Sequence, residues 1–254
     1  ATGAVKSPAM LAIVDALVRW IYRGCNRILV QSRAFIDPIC TQGIDRERVA
    51  YLPNSAEDFY RRETPMAKDP AASEFRPGFR VLFAGNVGAA QDFPTIVAAA
   101  ARLREHLDIQ WIVIGDGRMR QWVATQIDKL GLQSTFQMLG SRPAEQMPHY
   151  FSHADILLAT LRHDPIFAYT IPSKIQSYMA CGKAMIVALE GEGAKVVGEA
   201  GAGWVVPPEN PEALANAVLA ASQTSKARLS EMGAFGERYF SEQFERSVIL
   251  SRLE

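Results

Sequence analysis

The chain has 254 residues, 48% of them hydrophobic and 21% charged, and its 27 basic and 27 acidic side chains cancel to a net charge of zero. That balance excludes a nucleic-acid role driven by phosphate neutralisation, and the length suits one large domain or one and a half ordinary ones. No run reaches the roughly 18 apolar residues of a membrane span, and the N-terminus lacks a signal-peptide pattern. Three cysteines, Cys25, Cys40 and Cys181, stand far apart in no metal-ligand spacing, so a reduced, cytoplasmic protein is expected rather than a disulfide framework. His149 and His153 form one helical pair with no Glu beside the first, which favours a surface or packing role over a metal site.

The first segment, "SPAMLAIVDALVRWIYRGCNR", reads as a helix with Arg19, Arg23 and Arg27 at one end. A core-facing helix with a basic tip is the favoured reading; a helix resting on an anionic membrane surface is the other. "RILVQS" reads as a buried strand, a helix follows over 33–42, and "VAYLPN" reads as the next strand, giving one β-α-β unit. The stretch from 55 to 78 is charged, holds three prolines and has no sustained apolar period, and reads as a linker.

Regular alternation begins at "RVLFAG" and continues through a helix over 94–105, strand "IQWIVIG", a helix over 118–130 and strand "TFQML". A helix over 144–152, strand "DILLAT", a helix over 173–180, strand "AMIVAL" and a helix over 194–199 come next. Strand "GWVV" and a helix over 211–222 complete the pattern, and helices over 226–240 and 241–253 close the chain. Six short apolar strands alternating with helices predict an α/β, doubly wound parallel sheet covered on both faces.

In such sheets ligands bind beyond the C-terminal ends of the strands. The loop after the first strand, "GNVGAAQ", carries Gly85 and Gly88, which permit tight turns and close approach of a ligand. "GDGRMR" offers Asp116, either a partner for a hydroxyl or base or only a helix cap. "LGSRP" follows the third strand. "LRHDPIFAYTIPSK", the longest loop, ends in Pro-Ser-Lys at a helix start, where Ser173 faces free N–H groups and Lys174 adds a positive charge. Convergence of these loops on one sheet edge points to an anion site. No Gly-x-Ser-x-Gly and no Walker loop are present.

"VLFAGNVGAAQDFPTIVAAA", "VIGDGRMR", "MLGSRP", "IPSKIQSYMACGKAMIV" and "GAGWVVPPENPEALANAV" together resemble the C-terminal domain of glycosyltransferase family 4. The likeness is to its bacterial surface-polysaccharide members, including those similar to N-acetylfucosamine transferases, and it covers residue 80 to about 254. The resemblance implies a GT-B architecture of two Rossmann-like halves. Residues 1–56 would be the tail of the N-terminal, acceptor-side domain and 57–78 the linker. Residues 79–240 would be the donor-binding domain and 241–254 a helix crossing back to the first half. It implies a nucleotide-sugar donor, UDP-linked, a lipid-linked saccharide acceptor, retention of anomeric configuration, and no metal or other cofactor. An N-terminal domain missing from these residues would supply the acceptor side, so the fragment alone is expected to be inactive. The expected location is the cytoplasm, with peripheral contact at the inner face of the cytoplasmic membrane.

The donor-binding residues carried over are Gly85, Asn86, Gly88, Gln91, Asp116, Arg118, Leu139, Gly140, Arg142, Tyr169, Thr170, Ser173, Lys174 and Ser177. Two departures stand out. Many members carry Gly-Arg-x-x-x-x-Lys-Gly in the first loop, whereas here the cationic positions are Asn86 and Gln91, followed by Asp92. Members also often carry two glutamates at the positions of Tyr169 and Ser177. Charge developing on a diphosphate leaving group then needs another source. Lys174 is the expected catalytic cation, aided by first-loop backbone N–H groups and by Arg118 and Arg142. Two rivals remain at this stage: a UDP-N-acetylhexosamine 2-epimerase of the same architecture, and a non-catalytic nucleotide-binding or partner-docking module.

Overall fold

The computed structural model describes residues 7–65 and 73–252. The chain separates into two compact units, Ala1–Pro53 and Asn54–Glu254. In the first, α1 (Pro8–Gly24) precedes a parallel pair, β1 (Ile28–Val30) and β2 (Val49–Tyr51), joined through α2 (Ile36–Cys40). Ile28, Val30, Ile36, Ile39, Ile44 and Val49 make its small core. Arg48 donates to the carbonyls of Tyr22, Arg23 and Cys25, which closes the end of α1 with a cation. The sequence reading of α1 as core-facing is corrected here: the helix has no buried residue. Ile13 and Trp20 are 69% and 73% exposed, because the two short strands cover little beyond Tyr22 and Cys25. No helix among the described residues is long and apolar enough to cross a membrane.

The second unit holds six parallel strands: β3 (Phe79–Ala84), β4 (Ile109–Ile114), β5 (Phe136–Gly140), β6 (Ile156–Thr160), β7 (Met185–Ala188) and β8 (Gly203–Val206). Their order across the sheet is β5-β4-β3-β6-β7-β8. The helices are α3 (Phe93–Arg102), α4 (Arg120–Leu130), α5 (Met147–His153), α6 (Pro165–Ala168), α7 (Ser173–Ala180), α8 (Glu192–Ala200), α9 (Pro211–Ser222), α10 (Lys226–Gln243) and α11 (Arg246–Ser251). The central strands read as continuous apolar runs because both of their faces are covered. Val81, Phe83, Trp111 and Val113 point into one core with α3, α4 and α9. Leu82, Ile112, Leu157 and Val187 point into the other with α5, α7 and α8. The order reverses between β3 and β6, so their following loops diverge and leave a crevice at the C-terminal edge.

The stretch read as a linker does not hang free over its described part. Tyr60 stacks on Phe151 at 6.1 Å between ring centroids, and Phe75 is buried against Tyr150. Arg62 pairs with Glu237 at 3.0 Å. Two aromatic anchors among charged residues make no periodic pattern, so the sequence hid this packing. Residues 66–72 of the same stretch lie outside the described residues.

Candidate functional site: a cavity at the C-terminal edge of the sheet

A cavity of about 530 Å³ opens at this crevice. Its floor is the end of β3 and β4 with Gly85 and Gly115. Its walls come from the loop after β5, the start of α7, and the 54–65 segment. Two glycines make this floor possible. Gly115 has φ +149°, and a Cβ there would lie 1.8 Å from the Gly85 carbonyl oxygen; Gly85 has φ +131°, and its Cβ would lie 2.8 Å from Lys174 Cε. Gly115 therefore admits the Gly85 backbone, and Gly85 in turn clears space for the lysine.

Lys174 dominates the site. It stands in the first turn of α7, where no side chain caps the helix. Its ammonium lies 3.5 Å from the centroid of the Phe83 ring, a cation–π contact in a water-poor setting. Among the described residues it has no carboxylate partner. Burial alone lowers its pKa to about 7. Below it, the Tyr178 hydroxyl is fully buried, donates to the Leu158 carbonyl at 3.2 Å and accepts the Ala84 N–H at 3.3 Å. Burial pushes that phenol well above its usual range, so it stays neutral.

Of the sequence-derived positions, Gly85, Asn86, Gln91, Asp116, Arg142, Ser173, Lys174 and Ser177 line the cavity, and Gly88, Arg118, Leu139, Gly140, Tyr169 and Thr170 do not. Several of the lining residues are already engaged. Asn86 and Gln91 bond each other side chain to side chain at 3.3 Å, over Gly88. Ser177 donates to the Ser173 carbonyl at 3.1 Å, in place of a free acidic group. Asp116 pairs with Arg120 at 3.0 Å and accepts the Gly117 N–H at 2.7 Å, but it does not cap the helix, whose N-cap position is Met119. Gly140 closes β5 with φ +73°, and its carbonyl accepts the Gly115 N–H at 2.9 Å. Thr170 turns its hydroxyl back to the Phe167 carbonyl at 3.0 Å.

Of the expected helpers, Arg142 and the first-loop N–H groups have partners within the chain. Arg142 donates to the Leu139 and Ser141 carbonyls, to the Tyr150 hydroxyl and to Glu74, and Tyr150 in turn donates to Glu74 at 2.7 Å. Its charge is compensated inside this network, which also holds the Glu74 carboxyl below its usual pKa. The first loop spends much of its own donor capacity: the N–H groups of Gly85, Val87 and Gln91 go to the carbonyls of Ile114, Asp116 and Gly88. Lys174 is left as the uncompensated cation of the cavity. Arg118 is exposed and away from the cavity lining.

Sequence reading missed Glu57, Tyr60, Ser141, Met147 and Phe151, all of which line the cavity. Glu57 and Tyr60 reach it from the supposed linker, and no local signal marks them. A second missed feature lies beside the first loop. Among the described residues, Asp92 and Glu209 are the non-glycine residues with left-handed backbone, at φ 50° and 55°. The Glu209 N–H donates to Asp92 at 3.2 Å, and the Glu209 carboxylate accepts the His163 N–H at 3.1 Å. Strain of this kind persists only where neighbouring contacts fix it, and here it ties the loops after β3, β6 and β8 together. Away from the cavity, His149 bonds Glu63 at 2.6 Å and His153 packs edge-on against Phe75. Burial pushes the Cys181 thiol up to about 12, an inert packing thiol.

Comparisons with known proteins agree with this geometry. The family model described as "Glycosyl transferases group 1" matches residues 68–234. The probable glycosyltransferase WbjE of Pseudomonas aeruginosa is 24% identical over 256 residues, covering 97% of this chain and 61% of that protein. The 2-deoxystreptamine N-acetyl-D-glucosaminyltransferase of Niallia circulans is 32% identical over 85 residues, 33% of this chain and 22% of that protein. Anabaena HepE, solved in complex with UDP and glucose, matches with a TM-score of 0.77 at 18% identity, covering 96% of this chain and 65% of that one. WaaG, a glycosyltransferase involved in lipopolysaccharide biosynthesis, matches with a TM-score of 0.72 at 16% identity, covering 89% and 61%. The chain thus spans 61% of WbjE and 65% of the HepE chain. The structural likenesses give the fold, a Rossmann-like parallel α/β unit of the GT-B kind. With the family model matched over about two thirds of its length, the chain belongs to the group 1 glycosyl transferases.

Proposed function

We propose that this chain is the donor-binding half of a retaining glycosyltransferase that moves a sugar from UDP to a lipid-linked saccharide in surface-polysaccharide assembly. The observation that carries the reading is Lys174: a cation without a carboxylate partner, at a helix start, facing a cavity at the topological switch point of a parallel sheet. A diphosphate is the ligand class that such a cation suits. As the sugar leaves, negative charge grows on the departing phosphate, and a fixed ammonium beside it stabilises the transition state more than the ground state. Ser173 and the open first turn of α7 add donors on the same side. The base would sit toward Asp116 and the loop after β5, and the sugar toward residues 163–170. The UDP and glucose of the HepE complex and the lipopolysaccharide role of WaaG support this choice of donor and pathway.

The finer parts of the proposal are a donor sugar of the N-acetylated or deoxy hexosamine class and catalysis without a metal ion. An N-terminal domain would supply the acceptor side, with peripheral work at the cytoplasmic membrane. The family match favours transfer over epimerisation. Calorimetry with UDP tests the core of the reading. Lys174→Ala is expected to weaken UDP binding about tenfold or more, the scale of one charge-assisted hydrogen bond. Unchanged affinity would remove Lys174 from the phosphate site. With the catalytically complete protein, transfer that persists in excess chelator is expected, and its loss would refute metal independence.

A further inference from the structure

We propose that Gln176 is a positioning residue of the donor site: its side-chain amide pins the 54–65 segment to α7 and so sets where Glu57 and Tyr60 stand in the cavity wall. This inference rests on the donor-site reading above and adds to it a residue outside the cavity lining. Lys174, Ser177 and Tyr178 of α7 line the cavity, and Gln176 does not. Its side chain is buried, only 1% exposed, and donates from Nε2 to the Asn54 carbonyl at 2.8 Å. One helix thus carries the cation of the site and the anchor of a neighbouring wall.

The chemistry of that anchor separates position from stability. A buried amide is costly unless its donor and its acceptor are both bonded. Here Gln176 Oε1 has no partner among the described residues, so for stability alone a methionine of similar length would serve as well. Asn54 is exposed, and water can take over its carbonyl when the donor is lost. What water does not replace is a fixed distance and angle between α7 and the segment. The next contacts along the segment are less directional. Ala56 is buried, and the Tyr60 ring lies over Phe151 with the two planes 9° apart, an apolar contact that sets no unique register. The Tyr60 N–H donates to the Glu57 carbonyl at 2.9 Å, so both residues belong to one turn and shift together. Tyr60 also hydrogen-bonds Ser177, the next residue of α7. A displacement at Asn54 is therefore passed to three groups that line the cavity.

The test is Gln176→Met in the full chain, read by urea titration, amide hydrogen exchange and calorimetry with UDP. The urea midpoint is expected to stay close to that of the parent, because the unbonded acceptor leaves together with the donor. Exchange of the amides over 55–60 is expected to speed up about fivefold or more, and UDP affinity to fall about threefold to tenfold, the scale of one hydrogen bond. Tyr60→Ala is expected to weaken UDP binding by itself. In that background Gln176→Met should add less than about twofold, because it acts through the same turn. Unchanged exchange over 55–60, unchanged UDP affinity in either single variant, or a full additional loss in the double variant would overturn this inference and leave the donor site standing. A large drop in the urea midpoint of Gln176→Met would make the residue structural and overturn it as well. No UDP binding by the parent chain would overturn the donor-site reading and this inference with it.

Discussion

Two lysines sit at opposite edges of the same sheet and differ in the partners that surround them. Lys183 precedes β7 at the N-terminal edge, beside a second cavity of about 470 Å³. Lys174 follows β6 at the C-terminal edge. Burial lowers both pKa values, to about 8 and about 7. Their partners differ. Lys183 donates to the Ser152 carbonyl at 3.3 Å, and Asp155 nearby favours its charged form. Among the described residues, Lys174 has an aromatic face and no carboxylate partner. Buried charges in proteins are paired or hydrogen-bonded; Lys183 fits that rule, and on the proposed function a ligand phosphate would supply the partner that Lys174 lacks.

The comparison can be broken by exchange of the two roles. The largest effect is expected from Lys174→Met, which should weaken UDP binding about tenfold or more while stability holds or rises, because a poorly compensated charge is removed. Lys183→Met should do the reverse: UDP affinity within about twofold of the parent, and stability lowered by about 1–3 kcal/mol as the Ser152 carbonyl loses its donor. Urea titration and calorimetry on both variants check this, and equal behaviour of the pair would end the distinction.

Gly85→Ala probes the space that admits Lys174. A side chain at φ +131° is strained and meets Lys174 Cε, so a loss of about 1–3 kcal/mol in stability is expected, together with weaker UDP binding. Glu74→Gln breaks the compensation of Arg142, one wall of the same cavity. It is expected to cost about 1–3 kcal/mol, with a smaller effect on UDP affinity. The smallest effect is the pH dependence of stability without ligand. Both lysines hold fewer protons folded than unfolded between their lowered values and the ordinary lysine value. Stability is therefore expected to rise with pH above about 7 from Lys174 and above about 8 from Lys183. The opposing upward shifts of Tyr178 and Cys181 limit this window, because above their ordinary values the unfolded chain sheds those protons first. A flat urea midpoint from about pH 7 to 8.5 would contradict it.

How far the sequence reached follows from the range of each signal. The six strands were legible because each is a short apolar run buried on both faces, ending before a glycine-bearing loop. Lys174 was legible because it stands at a helix start beside a switch point, and its position needs no distant partner. The commitment of Arg142 was not legible, because Glu74 lies far upstream in a stretch without periodicity. Glu57 and Tyr60 were hidden for the same reason. The four-residue α6 is too short to show a helical period, so 161–172 read as one loop. The exposure of α1 was misread because an apolar helix pattern tells that a face wants cover, and not what covers it.

The most direct measurement is a crystal structure of the chain grown with UDP. The account predicts the diphosphate at the C-terminal edge of the sheet, with a phosphate oxygen within hydrogen-bond distance of Lys174 Nζ beside Gly85 and Ser173. UDP seated at the N-terminal edge beside Lys183, or at the C-terminal edge with its phosphates turned away from Lys174, would contradict it.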